Sequence, residues 1–94
     1  MDRQEARKHV CRILSQDGHH VLFSSHARKE LDNDNLKIGD ALNVLHSPDS
    51  KIIKDGELHN GSYRYRVETK NLCVVVAFNS ATELIVVTAW RKRT

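Results

Sequence analysis

Residues 72–78 read LCVVVAF, seven positions with no polar side. A run this short, apolar at both parities and rich in valine suits a central strand covered on both faces. Strand-like runs flank it. In Ser62 to Glu68, SYRYRVE, one parity holds Tyr63, Tyr65 and Val67 and the other Arg64, Arg66 and Glu68. The aromatics are therefore expected to pack inward while two guanidiniums line up outside. Glu83 to Trp90, ELIVVTAW, comes next and leads into the basic end RKRT. Lys51 to Asp55 adds an earlier strand, and Asn60-Gly61 and NSAT read as hairpin-like connectors. The expectation is an antiparallel meander of about four strands.

Before Pro48 the period changes. Ala6, Val10, Ile13 and Leu14 form an apolar stripe at i, i+4, i+7 and i+8, which predicts a helix from about Arg3 to Gln16, stopped by Asp17 and Gly18. His20 to Phe23 is a short extended piece. Ser25 is placed to cap a second helix, HARKEL, whose Ala27 and Leu31 lie one turn apart and which the polar DNDN ends. Ile38, Ala41, Leu42 and Leu45 repeat the helical spacing, so a third helix covers about Lys37 to His46 and closes at Ser47-Pro48. The fold class is α+β, with N-terminal helices packed on one face of an antiparallel sheet, and residues 1–94 form a single domain.

A chain of this size buries roughly 60 to 65% of its unfolded surface, so a site should be a shallow groove rather than a deep cofactor pocket. The charge is uneven. Met1 to Asn60 holds 9 Lys/Arg against 10 Asp/Glu, whereas Gly61 to Thr94 holds 6 against 2. Basic character concentrated in the strands points to nucleic acid or another acidic partner. No run has membrane-spanning length and the charged N-terminus does not read as a signal peptide, so a cytoplasmic protein with no membrane partner is expected. Cys11 and Cys73, without CxxC spacing, read as two buried thiols.

The run VLFSSHARKEL, the helix KIGDALNVL, then GSYRYRVE, LCVVVAF and ELIVVTAWRK resemble, in that order, a small bacterial domain family of unknown function. That family looks related to the RelE/ParE toxin group and the wider barnase-like and colicin-like ribonuclease folds. The resemblance covers about His20 to Lys92, and its most specific part is Ser24, His26, Ala27 and Leu31 ahead of a late VVTAW strand. It departs at Lys37, where a Ser or Thr cap is usual, and at Lys29-Glu30, where an Arg-hydrophobic pair is usual. What it implies is a RelE/ParE-like fold and a toxin-like, metal-independent endoribonuclease of a toxin–antitoxin system. The partners would be RNA, free or as ribosome-bound mRNA, and a cognate antitoxin. The alternative is a non-catalytic binding module of the same fold, recognising an acidic protein or nucleic acid.

RNA cleavage by a ribose 2′-hydroxyl needs a base, an acid and cations around the phosphorane. His26, in the first turn of a short helix, is the acid/base candidate; its other reading is a histidine that bonds its own helix turn. Arg64 and Arg66 are candidate phosphate clamps, since residues two apart on a strand project to one face roughly 7 Å apart. Otherwise they form a solvated face paired with Glu68 or Glu83. Tyr65 is the next catalytic candidate if it is not a core residue. Lys29, Trp90, Arg91 and Lys92 are candidate nucleic-acid contacts, with Trp90 alternatively filling the core against the first helix. Adjacent His19 and His20 point apart on an extended chain and cannot easily share an ion. Lacking ligand spacing and a Gly-rich phosphate loop, the sequence assigns no metal and no cofactor.

Overall fold

The computed structural model describes residues 2–15, 21–53, 56–59, 61–80 and 82–92. The elements run α1 (Arg3–Leu14), β1 (Val21–Phe23), α2 (Ser25–Asn33), α3 (Ile38–His46), β2 (Lys51–Ile52), β3 (Glu57–His59), β4 (Ser62–Glu68), β5 (Leu72–Ser80) and β6 (Glu83–Arg91). The α+β class stands. Among the described residues the sheet has six strands rather than about four, in the order β1-β6-β5-β4-β2, with β3 also on β4. The two additions were hard to see for physical reasons. β1 gains strand character only by pairing parallel to β6, Val21 opposite Leu84 and Phe23 opposite Val86. β3 is three residues long, too short to show an alternation, and pairs Glu57 with Arg64 and Leu58 with Tyr63. The expected ends of the first helix and first strand, at Gln16 and Asp55, lie outside the described residues, as do His19, His20 and Asn60.

β5 sits in the middle as LCVVVAF requires, antiparallel to both β4 and β6. Its Val74 and Val76 join a single core with Tyr65 and Val67 of β4, Leu84, Val86 and Ala89 of β6, and the apolar stripes of all three helices. Ala6, Val10 and Ile13 of α1, Ala27 and Leu31 of α2, and Ala41, Val44 and Leu45 of α3 are the buried helical positions. At roughly 1.5–3 kcal/mol for each fully buried large aliphatic, this helix-side layer is the main source of stability. Cys11 does not belong to it. It follows Val10 off the stripe and is exposed, so only Cys73 is the buried thiol expected. Tyr63 also departs from expectation. It shares Tyr65's parity yet remains 53% exposed, because it lies on the β3–β4 hairpin beyond the core.

The second helix starts one residue earlier than the serine pair suggested. The cap is Ser24, not Ser25: Ser24 Oγ accepts from the Ala27 N–H at 3.0 Å, while the Ser24 N–H donates to Val86 O at 3.0 Å. One residue thus ends the β1–β6 ladder and begins α2. That helix closes with Asn35 at φ 59° and the Leu36 N–H on Leu31 O at 2.8 Å, a left-handed C-terminal stop. At α3 the Lys37 N–H donates to Asp40 Oδ2 at 2.8 Å, so the Asp at the third helical position does the capping and a Ser or Thr is not needed.

Tyr65 packs where only a glycine fits. A Cβ built on Gly56 would lie 2.6 Å from Tyr65 Cζ, whereas one on Gly39 in α3 meets nothing within 4 Å. Gly56→Ala should therefore lower stability by about 1–3 kcal/mol through overpacking. Gly39→Ala should raise it by about 0.4–1 kcal/mol by restricting the unfolded chain. Denaturant midpoints measured at constant slope check both, and equal effects would show that Tyr65 is not held against Gly56.

Candidate nucleic-acid interface

Alternation gives the sheet a second face that carries none of the core cluster. It presents Arg64, Arg66 and Glu68 of β4, Cys73, Val75 and Ala77 of β5, and Ile85, Thr88 and Trp90 of β6, in register. Cys73, Val75 and Ala77 are nevertheless buried. With the helices on the other face, long side chains on the neighbouring strands must cover them. Arg66 and Trp90 flank β5, and the Arg66 guanidinium carbon stands 5.5 Å from the Trp90 ring centroid. That distance is a cation–π contact spanning the central strand. Trp90 is half-buried and faces away from α1, so it does not fill the core; Ala89, its neighbour, does.

The acidic residues expected to neutralise the arginines are engaged elsewhere. Glu68 Oε1 accepts from Lys92 Nζ at 2.8 Å, and Glu83 Oε1 accepts from Asn79 Nδ2 at 3.2 Å. Among the described residues neither Arg64 nor Arg66 forms an ion pair, and the buried Arg64 Nε–H has no acceptor.

The other sequence candidates scatter. Tyr65 is 2% exposed and points into the helix-side core, opposite Arg64 and Arg66, so it cannot act with them on one substrate. His26 is exposed in the first turn of α2, whose Ala27 and Leu31 anchor it in the helix layer. Between the start of α2 at the β1 edge and the arginines on β4 lie β6 and β5. At about 4.8 Å per strand the separation is roughly 14 Å, so His26 and the arginines do not converge on one phosphate. Lys29 is exposed on the same helix layer. Arg91 faces the helix side, where its backbone N–H donates to Asp34 Oδ2 at 2.8 Å and its Nη2 to Asp34 O at 3.3 Å. Lys92 reaches the open face but is tied to Glu68 and to Thr69 O. Arg66 and Trp90 are the candidates brought into contact, with Arg64 on the same face two residues along β4.

Two residues of this face were missed in the sequence. Lys51 pairs with Glu68, and the Ile53 N–H donates to Arg66 O at 3.3 Å. Both extend the face along the β2 edge, where Ile53 is 42% exposed. Their only signal is the parity opposite to Ile52, and two residues of strand are too few to show it.

At the centre of the face, burial and the nearby Glu68 carboxylate push the Cys73 thiol up from 9.0 to about 12. A group whose folded pKa is raised contributes its full stabilisation below the unfolded value. Cys73 should thus cost nothing up to pH 9 and then erode stability as pH rises from about 9 to 12, because the unfolded thiol ionises first. Cys73→Ala should remove that part of the alkaline slope. In the native protein a disulfide reagent should titrate Cys11 and reach Cys73 only on unfolding; two fast-reacting thiols would contradict this placement.

These features define a class: an α+β domain whose helices cover one sheet face and whose other face is cationic and open. The chain belongs to the family described as a domain of unknown function, DUF4258, whose model matches residues 23–91. The match takes in α2 through β6 and so contains the whole open face of β4, β5 and β6. No curated protein and no solved structure matches the chain. Among the described residues no group of His, Cys, Asp and Glu could hold a metal ion, and no helix is long and apolar enough to cross a membrane.

Proposed function

We propose that this chain is a RelE/ParE-like domain that binds single-stranded RNA on its open sheet face, acting as the RNA-facing part of a toxin whose antitoxin covers the same surface in the cytoplasm. The observation that carries the reading is the Arg66 guanidinium against Trp90, with Arg64 two residues along the same strand, on a face no helix occupies and where, among the described residues, neither arginine forms an ion pair. Guanidiniums two apart on a strand match successive phosphates, and a half-exposed indole supplies a platform for a base. The same face suits an acidic antitoxin segment, which would compete with RNA for the arginines.

Cleavage is the stronger form of this proposal. The arginines supply charge for a phosphorane, yet His26, the acid/base candidate, stands apart from them. RNA recognition is therefore the reading the arrangement supports best. A metal-independent endoribonuclease would need its proton transfers from His59, which register places opposite Ser62 on the arginines' face, from the lysines at the rim or from a ribosomal partner.

One titration tests both forms, following retention and integrity of the same oligoribonucleotide. Arg66→Gln should weaken retention and lower the salt slope by about 0.7, the value for one phosphate contact on a single strand. Trp90→Ala should cost about 1–3 kcal/mol if a base stacks there, and Trp90→Phe should recover most of it. His26→Ala should bind like wild type; if RNA is cut and this folded variant stops cutting, His26 is catalytic and the geometric argument against it is wrong. Failure of wild type to retain RNA at low salt overturns the proposal.

A further inference from the structure

The open face does not end at β2. Between α1 and the start of β2 lies a groove of about 470 Å³, lined by Arg3, Arg7 and Lys8 on one side and Ser50 and Lys51 on the other. None of its described lining residues is acidic. The sequence hid this concentration, because the first 60 residues together carry slightly more acidic than basic groups.

The groove has a fixed cation in its wall. Arg7 is half-buried, with Nη1 donating to Ser50 Oγ and Nη2 to Ser47 O at 2.9 Å. Ser50 is itself buried and its Oγ–H donates to the same Ser47 carbonyl at 2.8 Å. A guanidinium so held has N–H donors to spare and loses little entropy on meeting an anion. Arg3 precedes it by one helical turn, and Lys8 is exposed beside it. Lys51 lines the groove from the strand opposite Glu68, one row from where Ile53 bonds to Arg66. Cationic side chains therefore run from Arg66 over the β2 edge to Lys51, Arg7 and Lys8 without an intervening carboxylate in the groove.

We infer that this groove is a second phosphate site, which takes the backbone of a single-stranded nucleic acid leaving the open face across β2. The inference rests on the RNA-binding reading and lengthens the footprint it implies. α1 lies outside the segment matched by the family model, so the extension uses residues that the family match does not cover. A row of like charges with apolar stems, formed by Lys51, Arg7 and Lys8, attracts a polyanion, and the strand that reaches both regions is one continuous phosphodiester chain.

The test uses the full chain and oligoribonucleotides of about four and about twelve nucleotides, which bracket a short and a long footprint. The variant is Arg3→Ala/Lys8→Ala, both exposed and both replaced by a good helix former, with circular dichroism confirming α1. The double variant should bind the longer RNA about tenfold more weakly and lose about 0.7 of salt slope per contact removed, while binding the shorter RNA within about twofold of wild type. Equal losses for both lengths would mean a diffuse field rather than a track, and unchanged binding of the longer RNA would mean no site; either overturns the inference while leaving the sheet-face reading intact. If wild type retains neither RNA, the sheet-face reading fails and this one falls with it.

Discussion

The structure depends on how β5 is covered. Five consecutive residues, Cys73 to Ala77, are buried in a strand whose two faces meet different surroundings. On one face Val74 and Val76 meet three helices, and packing there is ordinary aliphatic interdigitation. On the other, Cys73, Val75 and Ala77 have only the side chains of β4 and β6 to exclude water. A lysine or serine at position 66 or 90 would leave that strand wet. Arginine and tryptophan have the reach and the flat surfaces to close over it while keeping a polar or π surface outward. The cationic character of the face follows from the way it is sealed.

That double duty explains why the candidate site gathers three residues and loses the rest. Arg64, Arg66 and Trp90 lie where the strand alternation puts them, and their sharing of one face needs only the β4-β5-β6 register. His26 and Lys29 belong to α2, whose apolar stripe can serve only the helix side. Tyr65 obeys the same alternation that exposes the arginines, and so must point away from them. A catalytic set that mixes His26, Tyr65 and the arginines asks one sheet to present both faces to one substrate.

Much of this was legible in the chain. The seven-residue apolar run fixed a buried central strand, SYRYRVE fixed the parity of the arginines, and the 3.6-residue stripes located the buried face of each helix. What was illegible depends on partners distant in sequence. β1 becomes a strand by lying beside β6, more than 60 residues away. β3 and β2 show no period because they are two or three residues long. Cys11 and Tyr63 were misread for the opposite reason: local pattern made each look buried, while the position of the core boundary, set by tertiary packing, left both outside. The serine pair at 24 and 25 shows the finer limit, since only the hydrogen bond to Val86 tells which serine caps.

The α1–β2 groove shows why summed charge is a poor guide to where an anion will go. Asp2 and Glu5 count against Arg3 and Arg7 in composition, yet the Asp2 carboxylate caps the helix, accepting from the Glu5 N–H at 2.9 Å. A carboxylate occupied by the positive end of a helix has part of its charge answered already. Across the sheet Glu68 is likewise answered by Lys92. Asp2 and Asp40 cap helices and Glu68 pairs at the rim, whereas among the described residues Arg64 and Arg66 form no ion pair and Arg7 bonds to neutral acceptors. A polyanion bound as proposed would meet local charge of this kind, on β4 and at the edge of β2, rather than the formal total.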